Sequence, residues 1–424
     1  MPEQADRAPK ELSIAKNTLY NTVGSGFYLV CQWLITVLAG RLGSVESGGI
    51  LTLAMSVTNI FYTLSVFGVR NYQVSDFQGK YAPEDYVFAR LATCGSALVL
   101  CALYCLFQPA WTRYETVCVA VYMIFRTGEA LSDENQALQQ NAGRMDYVCL
   151  SFLARGVLML GSFVGVMLWK KDLLTAFCAM SVSTGLVVLF YEFPVSRRLT
   201  AFRVEPRWKS GAALLRENIP LMLNTLMMTA CVSVPRTALK RICGNWWLGI
   251  YGFIAAPAAV AQSAALWLFM PSLTAFGRYW HEKDKASFMR LHRRILILLG
   301  ALSAVILLAG KLFGGWALNL LFGAEVAAQE ALLLPTLATT VLIAGEYYLS
   351  ALLTVARNMR IILISNAAGM VLTLALTNAM IQKWGAAGVN GVICVSMGTM
   401  VLIQAVGLHF CLKRRFDGKA GAKD

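Results

Sequence analysis

Long apolar runs alternate with short polar segments along most of this chain, and several runs carry polar residues at helical spacing. A run of about 20 apolar residues crosses the hydrocarbon core of a bilayer as a helix. In the first run the residues that fall on one helical face are Asn17, Asn21, Gly24, Tyr28 and Gln32. Lipid neither hydrogen-bonds an amide nor solvates a charge, so such groups need a protein partner or a wet cavity. The pattern predicts an all-α polytopic membrane protein with a polar interior, which is typical of a carrier.

The apolar runs predict about twelve transmembrane helices. Their expected ranges are 17–40, 47–69, 88–108, 115–140, 145–169, 173–191, 214–235, 246–271, 295–313, 331–356, 361–382 and 385–412. Only 14% of residues are charged, against about 25% in typical soluble domains. Residues 1–16 are polar and contain no short apolar stretch with a small-residue cleavage site, so the first helix is expected to act as the insertion signal.

The net charge of +14 is distributed by membrane side. With the N-terminus placed in the cytoplasm, 26 of the 37 Lys and Arg residues fall on the inner side and nine on the outer side. This bias satisfies the positive-inside rule with both termini cytoplasmic. We therefore expect the basic residues to contact anionic inner-leaflet lipids and not nucleic acid.

A basic segment in mid-chain divides the predicted helices into two lobes of six. Residues 1–191 form the N-terminal lobe, residues 192–213 a basic cytoplasmic linker, and residues 214–424 the C-terminal lobe with a basic tail. Short matches repeat in order in both halves: Gly128-Glu129 in the fourth helix matches Gly345-Glu346 in the tenth. Two like-oriented halves with substrate between them are a known transporter plan. The linker is either a solvated loop or a helix lying on the inner leaflet.

The fourth predicted helix carries the most specific polar stripe. Its members at spacings of three and four are Arg126, Glu129, Asp133, Gln136 and Gln140. An Arg126–Glu129 pair would leave Asp133 as an unmatched carboxylate. The stripe is either a helix end solvated by the cytoplasm or a cavity wall whose carboxylates couple or gate transport.

Two further charges lie deep inside apolar runs. Glu346 in the tenth helix is either a coupling carboxylate or a neutral acid bonded to a neighbouring helix. Arg155 lies ten residues into the fifth helix and cannot shed its charge, so it needs an anionic cavity or a carboxylate partner, for which Glu129 is a candidate.

Four arginines are candidate anion contacts. Besides Arg155 these are Arg236 and Arg241 at the outer end of the seventh helix and Arg41 at the end of the first. An interior with more base than acid would suit a phosphate-bearing substrate, because guanidinium binds phosphate through two parallel hydrogen bonds.

Uncharged polar stripes on the first, second and seventh helices supply candidate lumen-lining residues: Asn21, Tyr28, Asn59 and Asn218. Such groups either bond helix to helix, at about 1 kcal/mol each, or line a path for sugar hydroxyls. Three stripes at the starts of both halves favour a shared lumen.

No catalytic or metal site is expected. The eleven cysteines form no CxxC pair, and the three histidines fall near predicted cytoplasmic ends. The sequence has no P-loop, GxSxG or HExxH motif, and its outer loops are too short for a catalytic domain. We predict a transporter and not an enzyme.

Several short motifs carry a family resemblance. They are Asn17-Thr-Leu-Tyr-Asn-Thr-Val-Gly24, Arg126-Thr-Gly-Glu-Ala130, Arg144-Met-Asp-Tyr147 leading to Ser151, Pro235-Arg236 before Leu248-Gly-Ile-Tyr251, and Leu320-Leu-Phe-Gly323. With these motifs the chain resembles, over essentially its whole length, the Wzx-type polysaccharide flippases of the multidrug/oligosaccharidyl-lipid/polysaccharide exporter superfamily.

The resemblance implies a V-shaped transporter of two six-helix lobes in the bacterial cytoplasmic membrane. It would move an undecaprenyl-pyrophosphate-linked oligosaccharide from the inner to the outer leaflet by alternating access, for O-antigen, capsule or exopolysaccharide synthesis. No cofactor is implied beyond coupling to H+ or Na+, and a polysaccharide polymerase complex is a further partner to consider. The alternative within the same superfamily is a cation-coupled multidrug exporter.

Overall fold

The structure is a computed structural model that describes residues 12–76 and 79–417. The described residues are almost entirely helical and contain no strand. The twelve long helices are α1 (Ile14–Leu42), α2 (Val45–Val66), α3 (Pro83–Leu106), α4 (Arg113–Asn141), α5 (Met145–Trp169), α6 (Leu173–Val187), α7 (Trp208–Cys243), α8 (Asn245–Phe269), α9 (Lys285–Phe322), α10 (Leu333–Val355), α11 (Met359–Trp384) and α12 (Ala386–Leu412). Each predicted helix corresponds to one of these, so the all-α polytopic fold is confirmed.

Eleven of these helices, counted over the described residues with the short helices that continue some of them, are long and apolar enough to cross a membrane. The exception is α4, which is 29 residues long but carries charges along its second half. Length and composition together make the chain a multi-pass membrane protein.

Several predicted boundaries are wrong. The second predicted helix is interrupted, because Phe67 and Gly68 take positive φ values of 50° and 70° before a short helix at Val69–Ser75. The ninth extends over 38 residues, because α9 continues through basic residues for which the apolar pattern predicts a loop. Long side chains such as arginine are good helix formers, so charge alone does not end a helix.

The predicted linker at 192–213 is mainly helical. α6 continues through a π-helical turn at Val188–Glu192 into a short helix at Phe193–Thr200, and only residues 201–207 lie outside helices before α7 begins. Ala201 ends the short helix in a left-handed conformation with φ of 51°. A loop is therefore the wrong description for most of this segment.

The chain divides into two compact units between Thr229 and Ala230, inside α7. The first unit contains α1 to α6, and the second contains α8 to α12. The assignment of residues 1–191 and 214–424 to separate functional lobes stays a prediction.

Within the first unit α4 is central, because it packs against α2, α3 and α6, while α1 packs on α5. Within the second unit α10 packs against α8, α9 and α12, and α11 pairs with α12. In contrast, α9 is peripheral, since only 11% of its most apolar stretch is buried. The most polar long helix thus occupies the middle of one unit and one of the most apolar occupies the edge of the other.

Candidate functional site

Local sequence signals determine where α4 begins and where it ends. A capping box starts the helix, since the Glu115 N–H donates to Thr112 Oγ1 at 3.2 Å and the Thr112 N–H donates to the Glu115 carboxylate at 2.7 Å. Gly143, with φ of 67°, ends it in a conformation that glycine adopts without strain. Between these ends Glu129 and Gln136 are buried. The alternative of a helix end solvated by cytoplasm is therefore wrong.

Glu129 joins the polar stripe of α1 to the charged stripe of α4. Its Oε1 accepts hydrogen bonds from the Tyr28 hydroxyl and the Gln32 amide, both at 2.6 Å. Its Oε2 accepts a hydrogen bond from Arg126 one turn earlier, so the predicted Arg126–Glu129 pair is present. Three donors on one buried carboxylate replace the water that the charge would otherwise need.

Arg126 also reaches α2. One guanidinium nitrogen donates to Asn59 Oδ1 at 3.2 Å, and the guanidinium carbon lies 3.8 Å from the centre of the Tyr62 ring. The third nitrogen, Nε, is buried and has no hydrogen-bond acceptor among the described residues.

Asp133 is not unmatched, which corrects the prediction. Its Oδ1 accepts a hydrogen bond from Arg70 at 2.7 Å, and its Oδ2 accepts one from Arg90 at 3.0 Å. Arg90 is 1% exposed and also pairs with Glu134 through Nε at 3.4 Å. The predicted topology counts both arginines on the inner side, with Arg70 in a loop and Arg90 at the start of the third predicted helix. Burial of Arg90 instead requires these carboxylates, since an unpaired ion in the interior costs several kcal/mol.

The remainder of the stripe binds the same cation. Gln140 Oε1 accepts from Arg70 Nη2 at 3.0 Å, and Gln136 Oε1 accepts from Nη1 at 3.4 Å. Asp133, Gln136 and Gln140 face one guanidinium because they are spaced at three and four residues along α4.

Arg155 pairs with Glu192 and not with Glu129. The Arg155 Nε lies 3.3 Å from Glu192 Oε1 in an ion pair, but it makes no hydrogen bond of good geometry with any described acceptor. Glu192 is fully buried and accepts hydrogen bonds from Ser132, at 2.5 Å, and from Ser151. The Arg155 guanidinium also lies 4.7 Å from the Tyr28 ring centre.

These residues form an arginine–carboxylate cluster within the first unit. Its members are Arg70, Arg90, Arg126, Arg155, Glu129, Asp133, Glu134 and Glu192. Four cations face four carboxylates, so the excess of base expected for the interior is absent from this cluster. Every cation has a partner within the fold, as burial in a low-dielectric interior requires.

Glu346, in α10 of the second unit, has a different environment. It is 2% exposed, and its Oε1 accepts hydrogen bonds from Ser350 at 2.7 Å and from Gln404 of α12 at 3.1 Å. Gln404 also donates to Ser365 of α11 at 2.9 Å. Glu346 forms no ion pair with a described basic residue. Both alternatives for Glu346 remain open, because either a proton or a bound cation would satisfy the carboxylate.

The other predicted anion contacts lie in separate places. Arg41 is exposed at the end of α1. Arg236 is partly buried 5.7 Å from the Tyr251 ring centre, and its Nε has no described hydrogen-bond acceptor. Arg241 is exposed and donates to Asn378 at 2.5 Å.

The structure also shows the surroundings of two asparagines that were predicted to line the lumen. Asn21 is exposed on α1, whereas Asn218 is buried and donates to the Leu214 carbonyl of its own helix at 2.9 Å. Asn218 therefore satisfies one amide hydrogen locally, and a lining role for either residue stays a prediction.

Sequence reasoning missed Arg70, Arg90, Glu134 and Glu192. Arg70 and Glu192 flank apolar runs, where the pattern predicts a polar edge. Arg90 lies at the start of the third predicted helix, and Glu134 lies in the fourth beside Asp133 but off the spacing of the stripe. The hydroxyls that bind Glu192 gave only a weak signal: Ser151 lies within the apolar helix α5, and Ser132 lies beside the charged stripe of α4.

No protein-family model matches the chain. One curated relative, the capsular polysaccharide biosynthesis protein CapF of Staphylococcus aureus, is 21% identical over 357 residues, which is 79% of this chain and 87% of that protein.

Solved transporter structures share the fold. A multidrug resistance MATE family transporter of the MOP superfamily, in an inward-facing conformation, aligns with a TM-score of 0.67 and 12% identity over 97% of each chain. The lipid II flippase MurJ, in an inward closed conformation, aligns with a TM-score of 0.70 and 9% identity over 94% of this chain and 90% of that one. The chain therefore has the fold of MATE transporters and of the flippase MurJ.

Proposed function

We propose that this protein translocates an undecaprenyl-pyrophosphate-linked oligosaccharide from the inner to the outer leaflet of a bacterial cytoplasmic membrane, by alternating access and without enzymatic chemistry. Both termini are cytoplasmic in this proposal. The product would feed O-antigen, capsule or exopolysaccharide synthesis, in contact with a polysaccharide polymerase complex. A fold shared with a lipid II flippase and a sequence relative named for capsule synthesis support the proposal.

One observation within the structure carries it. Arg126 and Arg236 each have a buried Nε–H with no hydrogen-bond acceptor among the described residues, and the Arg155 Nε–H faces Glu192 Oε1 at 3.3 Å without hydrogen-bond geometry. A buried donor without an acceptor costs about 1–3 kcal/mol. A pyrophosphate or sugar oxygen would relieve that cost, and a charged acceptor would do so most strongly.

Glu346 is the proposed coupling residue. Its carboxylate is buried among neutral donors, so uptake of H+ or Na+ would remove or balance a charge that the fold leaves unpaired. Glu346→Gln keeps the hydrogen-bond acceptor and removes the titratable charge. Normal transport by this variant across pH and sodium concentration would exclude a coupling role.

The same carboxylate favours the second candidate, a cation-coupled multidrug exporter, since the fold is shared with a multidrug MATE transporter. The two candidates separate in proteoliposomes. A flippase would expose fluorescent lipid-linked oligosaccharide to the far leaflet, whereas a drug exporter would move a cationic dye and leave that lipid in place.

Arg236→Gln supplies the sharpest test of substrate contact. Arg236 forms no ion pair with a described carboxylate, so its removal leaves no buried acid unpaired. We expect at least tenfold slower oligosaccharide translocation at unchanged thermal stability, with partial rescue by Arg236→Lys. The matched control is Lys383→Gln at the end of α11. Wild-type translocation by Arg236→Gln would remove this residue from the substrate path.

A further inference from the structure

A cavity of about 600 Å³ lies wholly within the second unit, between α8, α9, α10 and α12. Most of the α9 residues that line it are spaced at three and four, so one helical face forms that wall: Met289, His292, Leu296, Leu299, Ser303 and Ile306. The volume is within the range of about 300–1,000 Å³ that is usual for small-molecule sites.

Most of the lining is aliphatic, with the hydroxyls of Ser303 and Thr340 along it. His292, Tyr348 and His409 form its polar end, toward the start of α9 and the end of α12, where His292 Nδ1 is 2.8 Å from the Tyr348 hydroxyl. A long apolar cavity with a polar end matches an amphiphile whose chain enters and whose headgroup stays outside.

Two exposed cations lie close along their helices to the histidines of the polar end, outside the cavity lining itself. Arg293 follows His292, lies on the helical face of Met289 and Gly300, and also lines a neighbouring pocket with Arg290 and Arg294. Lys413 lies one turn beyond His409. Neither Arg293 nor Lys413 forms an ion pair with a described carboxylate. Their charge complements an anionic headgroup at this end of the cavity.

The volume of the cavity indicates which type of hydrocarbon chain it can hold. A methylene group occupies about the share of a water molecule in the liquid, about 30 Å³, so 600 Å³ holds roughly 20 carbons. That capacity suits one fatty acyl chain and is less than half of an undecaprenyl chain. One wall of the cavity is formed by α9, whose most apolar stretch is only 11% buried.

We propose that this cavity binds one acyl chain of an anionic phospholipid of the inner leaflet, with its phosphate held by Arg293 and Lys413. The bound lipid is a resident of the second unit and not the transported substrate. The proposal therefore does not depend on what the protein carries, and it stands if the proposed translocation fails.

Native mass spectrometry of the full chain in non-ionic detergent, titrated with dioleoyl phosphatidylglycerol or phosphatidylcholine, tests the site. We expect wild type to bind phosphatidylglycerol at least tenfold more tightly. Arg293→Gln/Lys413→Gln should abolish that preference, whereas Lys311→Gln/Lys383→Gln, in the second half of α9 and the last turn of α11, should retain it.

Ala405→Phe places a ring in the cavity where the acyl chain would lie and should weaken binding of both lipids at least tenfold, whereas Val406→Phe, its exposed neighbour outside the lining, should not. Equal wild-type affinity for the two lipids would overturn the proposal, and that measurement does not depend on any variant folding. Wild-type affinity for both lipids in Ala405→Phe would overturn it as well. Displacement of phosphatidylglycerol by equimolar undecaprenyl phosphate would reassign the cavity to the isoprenoid.

Discussion

Substitution of Arg155 by methionine would leave Glu192, which is fully buried, without its cation. Removal of one member of a buried ion pair destabilises a protein by about 3–5 kcal/mol, because the remaining charge is neither solvated nor paired. Glu192→Gln in turn removes the carboxylate that pairs with Arg155, whose guanidinium lies beside the Tyr28 and Phe152 rings. We expect each single variant to lose an amount in this range.

The double variant Arg155→Met/Glu192→Gln should be far more stable than the sum of the single losses predicts. It contains no unpaired charge, and the new side-chain amide can still accept hydrogen bonds from Ser132 and Ser151. Replacement of both members of a buried pair is often nearly neutral. The coupling energy of the cycle should therefore be at least about 2 kcal/mol, toward the upper end for contacting residues.

Scanning fluorimetry of the purified protein in detergent measures the relative stabilities of the single and double variants. For a unit of about 150–250 residues, 1 kcal/mol shifts Tm by about 2–4 °C, so each single variant should lose roughly 6–20 °C. Lys80→Met is the control, because the Lys80–Glu217 pair at 2.6 Å is exposed and its loss should leave Tm nearly unchanged. Additive losses in the double variant would refute the pairing. Single losses no greater than that of the control would refute the burial of the charges.

Three further substitutions probe the first unit by the same Tm measurement. Tyr28→Phe removes one of three donors to Glu129 and should cost about 1.5 kcal/mol; a gain in stability would contradict that bond. Asp133→Asn should cost about 2 kcal/mol, less than loss of Arg155, because a fifth of the Asp133 side chain is exposed; a loss as large as that of Arg155→Met would contradict this solvation. Gly68→Ala should lower the stability by about 1–2 kcal/mol, since φ is 70° and a Cβ would lie 2.8 Å from the Leu221 side chain. An unchanged Tm would contradict the left-handed conformation of Gly68.

The sequence predicted the helices and the polar stripes well, because both depend on local spacing. Arg126 and Glu129 are three residues apart on one helix, so their pairing could be inferred without a fold. The multi-pass helical architecture likewise depends on the lengths of apolar runs, which are visible in the sequence itself.

Long-range partners could not be predicted in this way. Asp133 meets Arg70 and Arg90 across 63 and 43 residues of chain, and only the packing of the short helix and α3 against α4 brings them together. The apolar run ends beside Glu192, so the pattern places this residue in a polar linker, either a loop or a helix on the inner leaflet. The π-helical turn at Val188–Glu192 instead continues the helix and buries its last residue.

The carboxylate partners found in the structure change which arginine is the best candidate for contact with an anionic substrate. Arg155 and Arg126 are already opposed by Glu192 and Glu129, so an incoming phosphate would have to compete with a carboxylate or separate the pair. Arg236 faces an aromatic ring and no described carboxylate, so a phosphate there would gain the full charge-assisted hydrogen bond. A transport defect in Arg155→Ala alone would therefore confound unfolding with lost contact. In the double variant Arg155→Ala/Glu192→Gln no buried charge is left unpaired, so a transport defect would indicate a lost substrate contact. In Arg236→Gln a transport defect indicates this directly, because no second substitution is needed.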